Sequence, residues 1–280
     1  MVDVVSIIIA VVSLVGSLVA AGFTGWISFY IDQVKRRAES KALVHKYRDP
    51  LLLAAMDLQS RIYGLVQGGL LQFHDDEERR DLVFVYTAFL VGQYFSWTWI
   101  LRRQAQFLRF STEKQNRELS RMLESITDEF STNDRSGEFP FMLWRGQQMA
   151  IGEMMTERDG DEWHCIGYSA FVKKYHTDDD FHRWFILIEK GLQALVVARE
   201  QHDSVAGFRL RRLQHRLIDL ITLLDADGTG EGRDRRDKVD AAEKCKCIKC
   251  PAKPVPKSAA VSINKQKSEV NSDEMASSTV

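Results

Sequence analysis

Hydrophobic positions are concentrated at the start of the chain. Residues 4–31 carry no charge and are mostly Val, Ile, Leu, Ala and aromatic residues. A helix needs about 20 apolar residues to cross a bilayer core of about 30 Å. A cleaved signal peptide would begin with basic residues and contain a shorter apolar stretch. The run therefore predicts an uncleaved transmembrane anchor over residues 1–31, and a buried helix of a soluble fold is the alternative.

The charges on either side of this run predict its orientation. Asp3 is the one charged residue before it. Basic residues follow it, at Lys35, Arg36, Arg37, Lys41, Lys46 and Arg48. Because basic flanks stay in the cytoplasm, we expect the N-terminus outside or in a lumen and the bulk of the chain in the cytosol. The pattern does not indicate which membrane is crossed.

Small residues recur at every fourth position of the anchor, at Ser13, Ser17, Ala21 and Gly25. This spacing lets two helix backbones approach closely, as in GxxxG dimers. It predicts a homodimer formed through the anchor. The alternative is chance, because the whole segment is rich in small residues.

A second uncharged stretch covers residues 82–101, but it contains several polar side chains and Gly92. Both of its ends are basic, so the flanks indicate no orientation. We interpret it as the central helix of a helical bundle. A second membrane span is the alternative.

The remaining pattern to residue 225 is helical. Only Pro140 interrupts the stretch between Pro50 and Pro251, which favours long helices. Helix starts are predicted at Asp49, near Glu77, at Pro140 and at Thr177, and residues 164–175 fit either a strand or a helix. A last helix, about 204–224, has an apolar stripe and places Arg209, Arg211, Arg212 and Arg216 on its solvated side. The prediction is an all-α fold: a cytosolic helical bundle over residues 32–225.

Beyond residue 225 the composition becomes polar, with Gly, Lys, Pro and Ser dominating. Such a segment buries too little apolar surface to offset the entropy of ordering. Residues 226–280 are therefore predicted to be a disordered basic tail.

Two tail features are candidate metal ligands. Cys245, Cys247 and Cys250 could bind a soft ion, but a closed site needs a fourth ligand; the alternatives are S-acylation and unmodified thiols. Asp225 and Asp227 begin a stretch like an EF-hand loop, but Arg236 stands where the bidentate Glu belongs. The sequence therefore assigns no metal site and predicts no cofactor.

Charge and motifs exclude several function classes. The net charge is −1, which argues against nucleic acid as the main partner. No phosphate-binding glycine loop, zinc-protease pair or nucleophile elbow occurs in the sequence. No catalytic residue can be assigned from these patterns.

Several short blocks resemble a group of uncharacterised, anchored proteins found mostly in fungi. They are YRDPL at 47–51, DLQ at 57–59, QYFSW at 93–97, ILRR at 100–103, RGQQ at 145–148 and CIGY at 165–168. The resemblance covers roughly residues 40–200 and implies one folded unit. It implies no activity, because none is assigned to that group.

The combined expectation is a membrane-anchored cytosolic scaffold or interaction module without evident catalysis, whose protein partners are unknown. One alternative is an enzyme whose pocket uses Asp57, Arg61, Arg145 and Glu153. The other alternative is a two-span subunit of a membrane transport complex.

Overall fold

The computed structural model describes residues 4–104, 114–133, 140–201, 207–225, 237–240 and 244–251. The described chain is mostly helical. The elements are α1 (Val4–Val66), a 3-10 helix (Leu70–Asp75), α2 (Glu77–Gln104), α3 (Lys114–Ser131), α4 (Arg145–Met154), β1 (Thr156–Asp159), β2 (Glu162–Cys165), α5 (Tyr168–Thr177), α6 (Asp179–His182), α7 (Ile186–Glu200) and α8 (Phe208–Leu224).

Helix α1 is continuous for 63 residues and includes Pro50. The predicted helix start at Asp49 is therefore wrong, although proline removes one backbone hydrogen bond from a helix interior. Packing on both sides of the proline supports the helix, since Tyr47 and Leu51 are buried in the core. Arg48 also donates from Nε to the Leu224 carbonyl at the end of α8, 2.6 Å away. The predicted anchor and the first core helix are one element.

The N-terminal half of α1 lies outside the packed body. The segment Val12–Lys35 is long and apolar enough to cross a membrane, and none of it is buried. No other helix in the described residues is both long enough and apolar enough to cross a membrane. Its exposed large apolar side chains include Val12, Leu14, Val15, Val19, Phe23, Trp26, Ile27, Phe29, Tyr30, Ile31 and Val34.

Helix α2 forms the centre of the body, as the pattern of residues 82–101 indicates. It packs against α1, α4 and β2, and most of its side chains from Val83 to Leu101 are buried. Its start agrees with the predicted position near Glu77. Asp76 Oδ1 accepts hydrogen bonds there from the backbone N–H groups of Glu78 and Arg79.

Apolar stripes on the other helices form the rest of the core. Leu119, Leu123, Ile126 and Phe130 of α3 are buried. The stripe that runs from α6 into α7 is also buried, at Phe181, Phe185, Ile188, Leu192 and Leu195. Asp178 caps α6 by accepting a hydrogen bond from the Phe181 N–H, so the helix start predicted at Thr177 lies two residues further on, at Asp179.

Two segments differ from the predicted helices. Helix α4 begins at Arg145 rather than Pro140, because Phe141 has a φ of 60° and its ring is buried. Residues 156–165 form an antiparallel hairpin whose turn contains Gly160 at a φ of 57°. The ambiguous stretch 164–175 is therefore the end of β2 followed by α5. The hairpin is a small exception to the all-α prediction.

The arginines of α8 do not lie on a solvated face as predicted, because Arg209 and Arg212 are buried and only 17% and 15% of the Arg211 and Arg216 side chains are exposed. Arg209 and Arg212 are 1% and 0% exposed. Helix α8 packs against α1 on one side and α3 on another, so it has little surface for water. Arg212 Nε lies 2.7 Å from Glu129 Oε1, and Arg209 donates to the main-chain carbonyls of Glu129, Phe130 and Thr132.

Candidate functional site

Three cysteine sulfurs converge on one histidine nitrogen at the surface of α8. The Sγ atoms of Cys245, Cys247 and Cys250 lie 3.4, 3.5 and 3.7 Å from His215 Nδ1. All four atoms lie within 4.8 Å of one another. No other group among the described residues combines His, Cys, Asp or Glu atoms in this way. We call these four residues the thiol–histidine cluster.

The cysteines reach α8 because two polar side chains of that helix bind the C-terminal segment. Gln214 donates from Nε2 to the Asp237 carbonyl and accepts from the Val239 N–H, at 2.9 and 3.2 Å. Asp219 Oδ2 accepts from the Ile248 N–H at 2.8 Å. Residues 237–240 and 244–251 therefore do not fit the predicted disorder of the tail, the rest of which lies outside the described residues.

A lysine ties the two described pieces of this segment together. Lys238 Nζ lies 2.6 Å from Asp219 Oδ1, with only a small part of either side chain exposed. The same ammonium group donates to the Ile248 carbonyl. One carboxylate of α8 thus contacts both residue 238 and residue 248.

The second nitrogen of the histidine orients its ring. His215 is fully buried, and its Nε2 lies 2.8 Å from the Val239 carbonyl. A carbonyl oxygen can only accept, so Nε2 carries the proton. In neutral His215 the lone pair of Nδ1 then points at the sulfurs. This is the arrangement that outer-shell hydrogen bonds impose on metal-binding histidines.

The surroundings separate the pKa values of the thiols. Burial raises the pKa of Cys245, but interactions with the cationic form of His215 and hydrogen bonds with Cys247 outweigh it and bring the pKa down to about 7. Burial and the adjacent Cys245 raise the pKa of Cys247 to about 12. Ionisation of Cys245 is thus favoured by its neighbours and in turn disfavours ionisation of Cys247.

The chain bends sharply around the sulfurs. Lys244 and Lys249 have φ values of 55° and 49°, in the left-handed region that non-glycine residues seldom adopt. Such residues cost of order 1–3 kcal/mol each and persist where surrounding contacts hold them. Lys249 lies between Cys247 and Cys250, whose sulfurs both lie close to His215 Nδ1.

Sequence reasoning identified the three cysteines but missed the fourth member. His215 lies on the apolar pattern of α8, 30 residues from Cys245, and nothing local relates it to the tail. Of the other candidate ligands, Asp225 follows the end of α8, and Asp227 lies outside the described residues.

The groups weighed for catalysis are not brought together. Arg61 stacks over the ring of Tyr86 at 4.5 Å, whereas Arg145 pairs with Glu124 and Asp128 of α3. Asp57 and Glu153 are exposed. The four residues therefore form no shared buried site.

His182 and Cys165, which lie outside the thiol–histidine cluster, have structural contacts. His182 Nε2 lies 2.6 Å from Glu189 Oε1, and Glu189 also accepts from the Tyr175 hydroxyl. These contacts join α5, α6 and α7. Cys165 is partly buried, and burial raises its pKa to about 11, which disfavours a role as a nucleophile.

An apolar groove opens on another side of the body. It has a volume of about 500 Å³, and its lining includes Phe73, Leu82, Tyr86 and Tyr168. Leu82 is 58% exposed there. The arginines Arg61 and Arg79 also line it, so the groove combines an apolar floor with positive charge.

Comparison with known proteins identifies no relative. No protein-family model matches the chain, and no curated protein or solved structure is significantly similar to it.

Proposed function

We propose that this protein is a membrane-anchored interaction module, in which α1 crosses the bilayer and holds a cytosolic helical body close to the membrane. The observation that carries the proposal is the unburied apolar segment Val12–Lys35. Its large side chains are exposed in every direction around the helix, and no described part of the body covers them. Apolar surface on this scale is strongly unfavourable in water and favourable in lipid.

The continuity of α1 supports a positioning role. A flexible linker would let the body move freely, whereas the same helix runs from the apolar segment to Val66. The body then presents the groove around Leu82 and Tyr168 at a defined place relative to the bilayer. An exposed apolar groove is the kind of surface that binds another molecule.

Arginine substitutions in the middle of the uncharged run of residues 4–31 test the anchor. We expect V15R/V19R to lose most of its membrane-bound fraction, because each arginine at the centre of a spanning helix costs about 2.5–3.5 kcal/mol. The measurement is the share of full-length protein that remains with the membrane after alkaline carbonate extraction. Q33R/V34R is the matched control, because it adds the same two charges at the basic end of the segment and should leave the membrane-bound fraction unchanged.

Extraction of the unmodified protein by carbonate would contradict the anchor.

The orientation is tested on sealed vesicles with their cytosolic face outward. Added protease should remove a tag at the C-terminus and spare a tag at the N-terminus, since the basic flank follows the span. The reverse pattern would show that the orientation is wrong.

We further propose that the anchor forms a homodimer through Ser13, Ser17, Ala21 and Gly25. All four side-chain positions are exposed, and a Cβ placed on Gly25 would meet nothing within 4 Å. A second helix could therefore approach this ridge closely. Van der Waals packing of small residues is a principal source of helix association in membranes.

Ala21→Leu tests this dimer. A bulky side chain on the contact ridge should keep the two helix backbones apart and weaken self-association about tenfold, which corresponds to about 1.4 kcal/mol of lost packing. Energy transfer between fluorescent fusions in vesicles measures the association. Gly22→Leu is the control, because the next residue lies about 100° around the helix. Equal effects of the two substitutions would exclude this ridge as the interface.

A further inference from the structure

We propose that the thiol–histidine cluster of His215, Cys245, Cys247 and Cys250 binds one Zn²⁺ ion that fastens the C-terminal segment to α8. This site is independent of the membrane anchor and of the groove. Thiolate sulfur and imidazole nitrogen are the usual ligands of structural zinc, and three cysteines with one histidine are an established set.

The distances fit a tetrahedral zinc ion. With Zn–S near 2.3 Å and Zn–N near 2.0–2.1 Å, a tetrahedron places each sulfur about 3.6 Å from the nitrogen. The three observed Sγ–Nδ1 distances are 3.4, 3.5 and 3.7 Å. An ion can therefore enter the centre of the cluster with little movement of its ligands.

The histidine is prepared for this role. The Nε2 proton is directed at the Val239 carbonyl, so Nδ1 is the nitrogen that can bind a metal. This hydrogen bond comes from the segment that the metal would fasten. Metal binding and the docking of residues 237–240 therefore support each other.

The ligand set favours zinc over other classes of ion. Calcium and magnesium require oxygen ligands, and none of the four converging atoms is oxygen. Four protein ligands complete the tetrahedron, so no position remains for water or a substrate. The site is thus structural rather than catalytic.

The segment needs such a fastening because it contributes little apolar surface. Val239 is the buried apolar side chain of its described residues, whereas Ile248 is 55% exposed. Small segments without a core of their own are commonly held by metals or disulfides. Zinc binding would link Cys245, Cys247 and Cys250 to the middle of α8 and order the segment at the same time.

The same geometry makes S-acylation of these thiols the weaker interpretation. An acylated cysteine must present its sulfur to an acyl donor and its chain to a membrane. Here the sulfurs face the buried ring of His215. Acylation and zinc binding use the same sulfur atoms, so mass spectrometry of the purified chain separates them.

The test is a titration of the full chain, purified in mild detergent under reducing conditions and freed of metal. We expect one equivalent of Zn²⁺ to bind in competition with a chromogenic chelator. We expect Co²⁺, as a spectroscopic substitute, to show thiolate charge-transfer bands and tetrahedral visible bands. Cys247→Ser and Cys250→Ser should each weaken binding about 100-fold or more, because even the loss of outer-shell partners costs about 10–100-fold.

Cys165→Ser is the matched control, since it removes the one other cysteine and should leave zinc affinity unchanged. Hydrogen exchange provides a second measurement that does not depend on the chelator competition. Zinc should slow the exchange of residues 237–251 in the unmodified chain and should not slow it in Cys247→Ser. Failure to bind one equivalent, equal loss in Cys165→Ser, or acyl groups on the three cysteines would each overturn the proposal.

Discussion

Replacing Arg212 with Met should lower the free energy of unfolding of the body by about 3–5 kcal/mol, the cost of leaving one partner of a buried ion pair without the other. Arg212 and Glu129 are 0% and 2% exposed at their side chains, with 2.7 Å between Nε and Oε1. Methionine retains most of the side-chain volume, so the lost stability measures the removal of the charge rather than of packing. Arg216 lies 3.3 Å from Glu129 Oε2 and retains part of the compensation, which places the expected value at the lower end.

The same substitution at an exposed pair is the control. Arg145 also joins a helix to α3, through Glu124 and Asp128, but its side chain is 50% exposed. Exposed pairs contribute about 0–1 kcal/mol, so Arg145→Met should change stability little. Thermal unfolding of the full chain in mild detergent, followed by near-ultraviolet circular dichroism, measures both.

The expected difference in melting temperature is about 10 °C, because 1 kcal/mol corresponds to about 2–4 °C for a body of this size. Adding Glu129→Leu to Arg212→Met should recover part of the loss, since two apolar groups replace two charges. Similar melting temperatures for Arg212→Met and Arg145→Met would show that the buried pair does not carry this energy.

Gly152→Ala should lower the free energy of unfolding by about 1–3 kcal/mol, the usual range for overpacking. A Cβ at this position would lie 2.7 Å from the Phe95 carbonyl oxygen and 2.9 Å from Trp99 Cβ. Both atoms belong to the backbone or the base of a side chain of α2, so they cannot rotate away. Helix α4 would have to move from α2, and this loss exceeds the gain of about 1 kcal/mol that alanine brings to a helix.

Gly146→Ala provides the opposite expectation within the same helix. Nothing lies within 4 Å of a Cβ placed there, so the higher helix propensity of alanine should raise stability by up to about 1 kcal/mol. Melting of the two variants under identical conditions tests the close approach of α2 and α4. Equal increases in melting temperature for the two variants would show that α2 and α4 can separate without cost.

Local patterns predicted much of the helical framework. The helix start near Glu77 and the apolar stripe of the last helix, α8, are properties of a few neighbouring residues, and the structure has both. The continuity of α1 through Pro50 could not be read in this way, because Tyr47 and Arg48 support the helix through residues far away in sequence.

The candidate site also combines a feature that neighbouring residues reveal with one that depends on residues distant in sequence. The spacing of Cys245, Cys247 and Cys250 is visible in the sequence, but a fourth ligand is provided only when α8 and the segment pack together. His215 occupies a buried position among apolar neighbours, where a histidine carries no local sign of metal binding. Likewise, Arg212 has the spacing of a solvated residue and becomes buried because α3 covers it.

The continuous helix α1 also fixes the distance and the rotation between its apolar segment and the body. At 1.5 Å per residue, its 63 residues span about 95 Å. The distance along the axis from Lys35, where the apolar segment ends, to Tyr47, which is buried in the body, is about 18 Å. Adding or removing one residue in this interval would shift the body by about 1.5 Å and rotate it by about 100° about the helix axis. In the proposed anchor, both the height of the groove above the bilayer and the direction in which it faces are therefore set by the number of residues between the span and the body.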